Sequence, residues 1–484
     1  MKKFFIIPFL FSGLVQAQPL QETIHDMTAT APVLQGAWWA GTAGYPGGEV
    51  LFSVNESQRM APASTLKLIT SAAVLETFGP DYQFETRLYA DALPNAEGAL
   101  DGDIYIRGGG DPSLGSTRPA GGENAQKLLR RWAKEIKKSG IKTIRGNIYA
   151  DETLFEGLSV PPKVNWENMG NYYAAPVSAL SLADNSFKIR FSPQPGHGKE
   201  AKVSKTEPEI PGLSIRSFVT ASAQDRRDNA YVYAAPGQFD LDIYGTIPTN
   251  LLGFTIQAAL PDPALFTAQY LQQILQEEGI SVTGNAQKVE NTPDYSAMHL
   301  LYTQKSTKLK DILYVLNKRS FNFYAEMLVR HLALHAGQEG TLQNGIQQLE
   351  NWLKAHNIPL NDVKIYDASG LSRDNMLTVR ALTGTLNAMI NSPYFNVYYQ
   401  TLATPNDRGD LLLLRRWLYP QKRLDDVHVK GGTIDGVKAM AGYVKDKEGK
   451  LISFALIANN LEDKSEAINR IHENIIKTLL HYQH

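Results

Sequence analysis

The sequence predicts an α/β protein of mixed α+β, multidomain type: an antiparallel sheet with flanking helices, carrying a long β-rich insertion. Three observations predict it. Short alternating apolar runs at 36–42 and 48–54 are answered by two more at 439–444 and 451–458. Between them, residues 84–260 are rich in turn residues and strand-like segments. From 307 onward the chain takes on helical periodicity.

The first two runs flank a Gly-Tyr-Pro-Gly-Gly turn at 44–48 and read as a hairpin. The segment from Ser64 to Phe78 is apolar on most faces, which marks a buried helix, and Gly79-Pro80 stops it. Strands are expected at 84–90, 102–106, 143–150, 187–191, 213–217 and 239–244. Leu128, Leu129, Trp132 and Ile136 share one face of a helix that Gly140 ends. Asp262 as N-cap and Pro263 in the first turn open another, stopped by Gly279. Helices are expected over 308–337, 342–356 and 466–481, the last with Ile468, Ile471, Ile475 and Leu479 on one stripe. The runs at 36–54 and 439–458 are expected to share one sheet, closed on one face by the first and last helices.

With 484 residues, 43% hydrophobic and 20% charged, the chain is long enough for about three domains. A net charge of −1 argues against a nucleic-acid partner. The absence of cysteine excludes disulfides, thiolate chemistry and zinc–sulfur sites. Lys2 and Lys3, an apolar run over 4–14 and the small-residue end Val15-Gln16-Ala17 read as a signal peptide cleaved after Ala17, hence a periplasmic location.

Ser64 and Lys67 form an S-x-x-K pair. Positions three apart on a helix are neighbours, so the amine can reach the hydroxyl. A serine needs such a base to become a nucleophile, and a lysine serves only if burial depresses its pKa. Ser320-Phe321-Asn322 follows inside the helical stretch, and Lys430-Gly431-Gly432-Thr433 stands just ahead of the closing hairpin. The order S-x-x-K, S-x-N, K-T-G is the signature of penicillin-recognising serine enzymes.

With these elements, and with the strings 107–114 (RGGGDPSL), 173–180 (YAAPVSAL) and 367–373 (DASGLSR), the sequence resembles the low-molecular-mass class C penicillin-binding proteins, the serine D-Ala-D-Ala carboxypeptidases of peptidase family S13. The resemblance covers the chain beyond residue 17. It implies a transpeptidase/β-lactamase-like domain at 18–83 and 293–484, an insertion domain at 84–160 and 246–292, and a nested one at 161–245. It implies that Ser64 forms an acyl-enzyme, that Lys67 takes its proton, and that Ser320 relays a proton to the leaving amine. Asn322 positions Lys67 and the substrate amide, and Lys430 supplies charge near Ser320. The backbone N–H groups of Ser64 and Thr433 form the oxyanion hole, and Thr433 also binds substrate. Asp151, Phe155 and Arg373 are expected to line the groove for a meso-diaminopimelate side chain. The implied partners are peptidoglycan stem peptides and β-lactams, with a peripheral membrane contact through the last helix as a further candidate. No cofactor or metal is implied.

The chain departs from that pattern at Gly431, where the family carries a hydroxyl residue that helps bind the substrate carboxylate. Gly431→Thr is therefore expected to raise kcat/KM. Two other readings share the same features: a β-lactamase or esterase on the same fold, and a non-catalytic peptidoglycan-binding protein. His331 and His335 stand four apart on a helix, but the Glu of H-E-x-x-H is missing, so no zinc site is expected there.

Overall fold

A computed structural model describes residues 20–193, 196–225, 229–249, 253–408, 411–462 and 465–483. The expected signal peptide lies outside the described residues.

The central sheet runs Val427–Ile434, Val437–Lys445, Leu451–Asn459, Trp38–Gly44, Val50–Val54, antiparallel throughout. Trp38 pairs with Asn459 and Gly44 with Ser453, so the two ends of the chain meet in one sheet. Its middle strands are buried on both faces, and Val437–Lys445 is covered along all but its last residue. That burial corrects the expectation of a sheet closed on one face. Ala439, Ala441, Tyr443, Ala455 and Ile457 join a core with the helices Lys67–Phe78 and Val379–Ile390. Met440, Val444, Phe454 and Leu456 join a second core with Ile468, Ile475 and Leu479 of the helix Ser465–His481. The first and last of the expected helices thus cover opposite faces, because side chains alternate across a strand and both alternating sets here are apolar.

The insertion has its own core. A mixed five-stranded sheet, in the order Ala286–Lys288, Ile148–Asp151, Ile104–Arg107, Glu85–Ala90, His299–Lys305, supports the helices Ala125–Lys138 and Pro263–Glu277. Asp262 caps the second helix as expected, accepting from Leu265 N. The expected strand at 143–150 is two, Thr143–Ile144 and Ile148–Asp151, broken where Gly146 is pressed against Gly102 with no room for a β-carbon. Three small three-stranded sheets complete the insertion among the described residues. Thr255–Ala259 pairs with Ser186–Phe191, and His299–Lys305 with Glu85–Ala90, so strand pairing runs past the domain limits expected at 245 and 293.

The expected helix 308–337 is also two, Leu309–Lys318 and Asn322–His335. Ser320 sits in the gap with φ +57°, a left-handed conformation that ends one helix and turns the next.

Candidate active site

Ser64 lies on a single tight turn, Ala63–Leu66, that runs directly into the helix Lys67–Phe78. The helix is buried from Lys67 to Leu75 and is centred in the main core. Its start is therefore rigid, and Lys67 is carried fully out of solvent. Lys67 Nζ lies 2.9 Å from Ser64 Oγ, 2.6 Å from Asn322 Oδ1 and 2.5 Å from the Ser369 carbonyl. Burial pushes the Lys67 amine down to about 7, against the carboxylates of Asp367 and Glu326, which favour the charged form. At neutral pH a substantial share of Lys67 is free base, the form a proton acceptor needs.

Asn322 opens the helix Asn322–His335, and its amide is held at both ends: Oδ1 accepts from Lys67 and Nδ2 donates to the Tyr173 carbonyl. Ser320, two residues earlier, points to the other lysine. Lys430 Nζ is 2.8 Å from Ser320 Oγ and 2.6 Å from the Gly431 carbonyl. Strand Val427–Ile434 is an edge of the central sheet and passes close to the nucleophile: a β-carbon on Gly432 would stand 2.7 Å from Ser64 N and 2.9 Å from Pro62 O. Only glycine allows that approach. Thr433, next along the strand, accepts from Lys438 Nζ at 2.9 Å.

The expected catalytic residues thus form a trio, Ser64–Lys67–Asn322, and a pair, Ser320–Lys430, around the end of one helix and the edge of one strand. Arg373 stands beside them. Its loop presses Gly370 onto Ala63, and its guanidinium is 3.0 Å from Asp435, just past Thr433. Asp151 and Phe155 make no described contact with this cluster. Asp151 is 2% exposed; Oδ1 accepts from Thr153 N and Oγ1, and Oδ2 from the Tyr295 hydroxyl. Both carboxylate oxygens thus accept hydrogen bonds within the fold. Phe155 packs edge-on against His331, well along the helix from Asn322. His331 itself is buried and pushed down to about 4 by that burial, with Nε2 2.9 Å from the Gly110 carbonyl. Among the described residues no cluster of three metal-ligating side chains occurs.

Sequence reasoning missed three groups around the site. Glu326, one turn after Asn322, accepts from the backbone N–H of Ala368 (3.0 Å) and Ser369 (2.9 Å). Asp367 accepts from the N–H groups of Gly370 (2.7 Å) and Ser372 (2.6 Å). Together they fix the loop whose Ser369 carbonyl holds Lys67. The spacing Asn322–Glu326 was the available signal. The third is Arg408. A β-carbon on Gly431 would fall 2.5 Å from Arg408 Cζ, within the guanidinium. A threonine at 431, expected from the sequence to raise kcat/KM, would have to move the Arg408 guanidinium aside.

A family model for D-Ala-D-Ala carboxypeptidase 3 (S13) matches residues 20–479. The chain belongs to the S13 family. Among curated relatives, a D-alanyl-D-alanine carboxypeptidase of Actinomadura sp. (strain R39) is 27% identical over 85% of this chain and 76% of its own length. D-alanyl-D-alanine carboxypeptidase DacB of Haemophilus influenzae is 24% identical over 86% of this chain and 85% of its own. The crystal structure of penicillin-binding protein 4 from Haemophilus influenzae superposes with a TM-score of 0.80 at 21% identity, covering 95% of this chain and 99% of that one. Its complex with a β-lactam superposes with a TM-score of 0.75. The S13 chain therefore has the penicillin-binding fold, with the insertion included in the match. Among its described residues no helix is long and apolar enough to cross a membrane.

Proposed function

We propose that this S13 protein is a periplasmic serine D-Ala-D-Ala carboxypeptidase that works through an acyl-enzyme on Ser64. One observation carries the reading: a fully buried lysine amine, pushed down to about 7, stands 2.9 Å from a serine hydroxyl at the start of a rigid helix. Lys67 takes the Ser64 proton as Oγ attacks the carbonyl between two D-alanines. The backbone N–H groups of Ser64 and Thr433 receive the oxyanion, which their strand and helix hold ready without reorganisation. Ser320, polarised by Lys430, passes a proton to the leaving amine, D-alanine departs, and water releases the shortened peptide.

The same acyl donor occurs in cross-linked peptidoglycan, where the D-alanine carbonyl is bonded to the side-chain amine of the neighbouring stem. Endopeptidase cleavage of that bond uses the same groups and is the second activity proposed. A β-lactam places a strained amide before Ser64 and acylates it. The β-lactam complex of the Haemophilus influenzae protein supports this by fold. Arg373, at the mouth of the site, is the candidate for the carboxylate of a diaminopimelate side chain.

The test is intact mass after incubation with benzylpenicillin, followed by mapping of the modified peptide. One adduct on Ser64, absent in Ser64→Ala, is the expected result. No adduct on folded protein, or an adduct elsewhere, overturns the reading. Rapid loss of the adduct with turnover of the penicillin would instead identify a β-lactamase.

A further inference from the structure

In the reaction proposed above, the leaving D-alanine carries its carboxylate two bonds from the departing nitrogen. Whatever binds that carboxylate must stand within a few ångströms of Ser320 and Lys430, the groups assigned to that nitrogen. A hydroxyl at position 431, next after Lys430, would fill the role, and this chain has glycine there.

The position is filled by another group. The turn 404–408 lies along the open edge of strand Val427–Ile434: Ala403 N donates to the Val429 carbonyl at 2.9 Å, and Val429 N donates back at 2.8 Å. Asp407 locks the turn by accepting from Thr404 N and Oγ1, both at 2.9 Å, and from Lys318 Nζ at 3.0 Å. Lys318 is two residues from Ser320, so the turn is tied to the catalytic gap. From this anchored turn Arg408 reaches back over Gly431, its guanidinium in the volume where a side chain would begin. Glycine at 431 and arginine at 408 are thus one arrangement: the missing β-carbon admits the guanidinium. Arg408 is half-buried.

We propose that Arg408 binds the terminal carboxylate of the D-Ala-D-Ala substrate, in place of the hydroxyl absent at Gly431. The proposal rests on the carboxypeptidase reading and adds to it the group that selects for a free C-terminus. A guanidinium presents a planar fork of N–H donors matched to a carboxylate.

The experiment compares two ester substrates with the same acyl half: a peptidyl-D-alanyl-D-lactate with a free carboxylate, and its methyl ester. Wild type is expected to prefer the free acid. Arg408→Ala is expected to lose roughly tenfold to hundredfold in kcat/KM on the free acid, the worth of a hydrogen bond to a charged group, and to keep its rate on the methyl ester. The methyl-ester rate also shows that the variant is folded. Gly431→Thr in the Arg408→Ala background is expected to restore part of the preference, whereas Gly431→Thr alone lowers it by displacing Arg408. Equal losses on both substrates would make Arg408 structural and overturn the proposal, as would an unchanged preference. If wild type cleaves neither ester, the carboxypeptidase reading itself fails; if wild type prefers the free acid and Arg408→Ala does too, only the Arg408 assignment fails.

Discussion

The amine of Lys67 stands 2.9 Å from the hydroxyl of Ser64, the serine on the Ala63–Leu66 turn and the lysine at the first position of the buried helix that the turn runs into. Their chemistry is set by the lysine charge. Burial holds the Lys67 amine at about 7. Below that pH the ammonium cannot take a proton; above it the free base can. The rate of Ser64 acylation by benzylpenicillin is therefore expected to rise with pH and reach half its plateau near 7. An acid limb well below 6, measured by stopped-flow or quenched mass spectrometry, would assign the base elsewhere.

Lys67→Arg should keep a cation near Asn322 and Ser369 but remove the base, because a guanidinium does not lose its proton in this range. The expected cost is roughly 10²–10⁴-fold in the acylation rate, the usual contribution of a positioned general base. A variant that stays within tenfold of wild type would show that Lys67 serves only to hold Asn322.

Glu326 offers a test of how that amine is tuned. It is buried, and burial with the neighbouring Asp367 pushes its carboxyl up to about 7, against the Arg330 guanidinium. When ionised it favours the Lys67 ammonium. Glu326→Gln keeps an oxygen for the Ala368 and Ser369 N–H groups while removing the charge. The Lys67 amine should then lose its proton more readily, and the acid limb should move to lower pH with the plateau rate retained. A limb left in place would mean that Glu326 acts only through the loop backbone.

Much of the fold and the core of the site was legible in the sequence, for reasons that particular residues make plain. Asp262 and Pro263 announce their helix through local chemistry, and the Ser64, Ser320 and Lys430 elements announce themselves through spacing. The faces of the central sheet were not legible. Met440 and Ala441 are both apolar, so their alternation does not say which neighbour each one meets. The break at Ser320 was hidden too, since the residues on either side of it suit a helix and only the tertiary structure imposes φ +57°. At Asp151 the pattern suggested a ligand, and the structure adds that Thr153 and Tyr295 donate to its oxygens. Arg408 lacks periodicity or motif around it, and only the path of the turn across the edge of the Val427–Ile434 strand brings it to Gly431.

The distance between strand and helix is the last requirement that can be tested. Gly432 lies against Ser64 N and Pro62 O, and a β-carbon there would meet backbone atoms that cannot swing aside. In Gly432→Ala the strand must retreat from the Ala63–Leu66 turn. Overpacking of this kind costs about 1–3 kcal/mol. The functional loss should exceed the loss of stability, because the shift separates the N–H groups of Ser64 and Thr433, whose proposed joint aim at one oxyanion would be worth roughly 10²–10³ in rate per donor. Acylation by benzylpenicillin should thus fall about a hundredfold at a temperature where circular dichroism shows the variant fully folded. A folded Gly432→Ala protein that acylates at the wild-type rate would mean that this strand edge takes no part in stabilising the transition state.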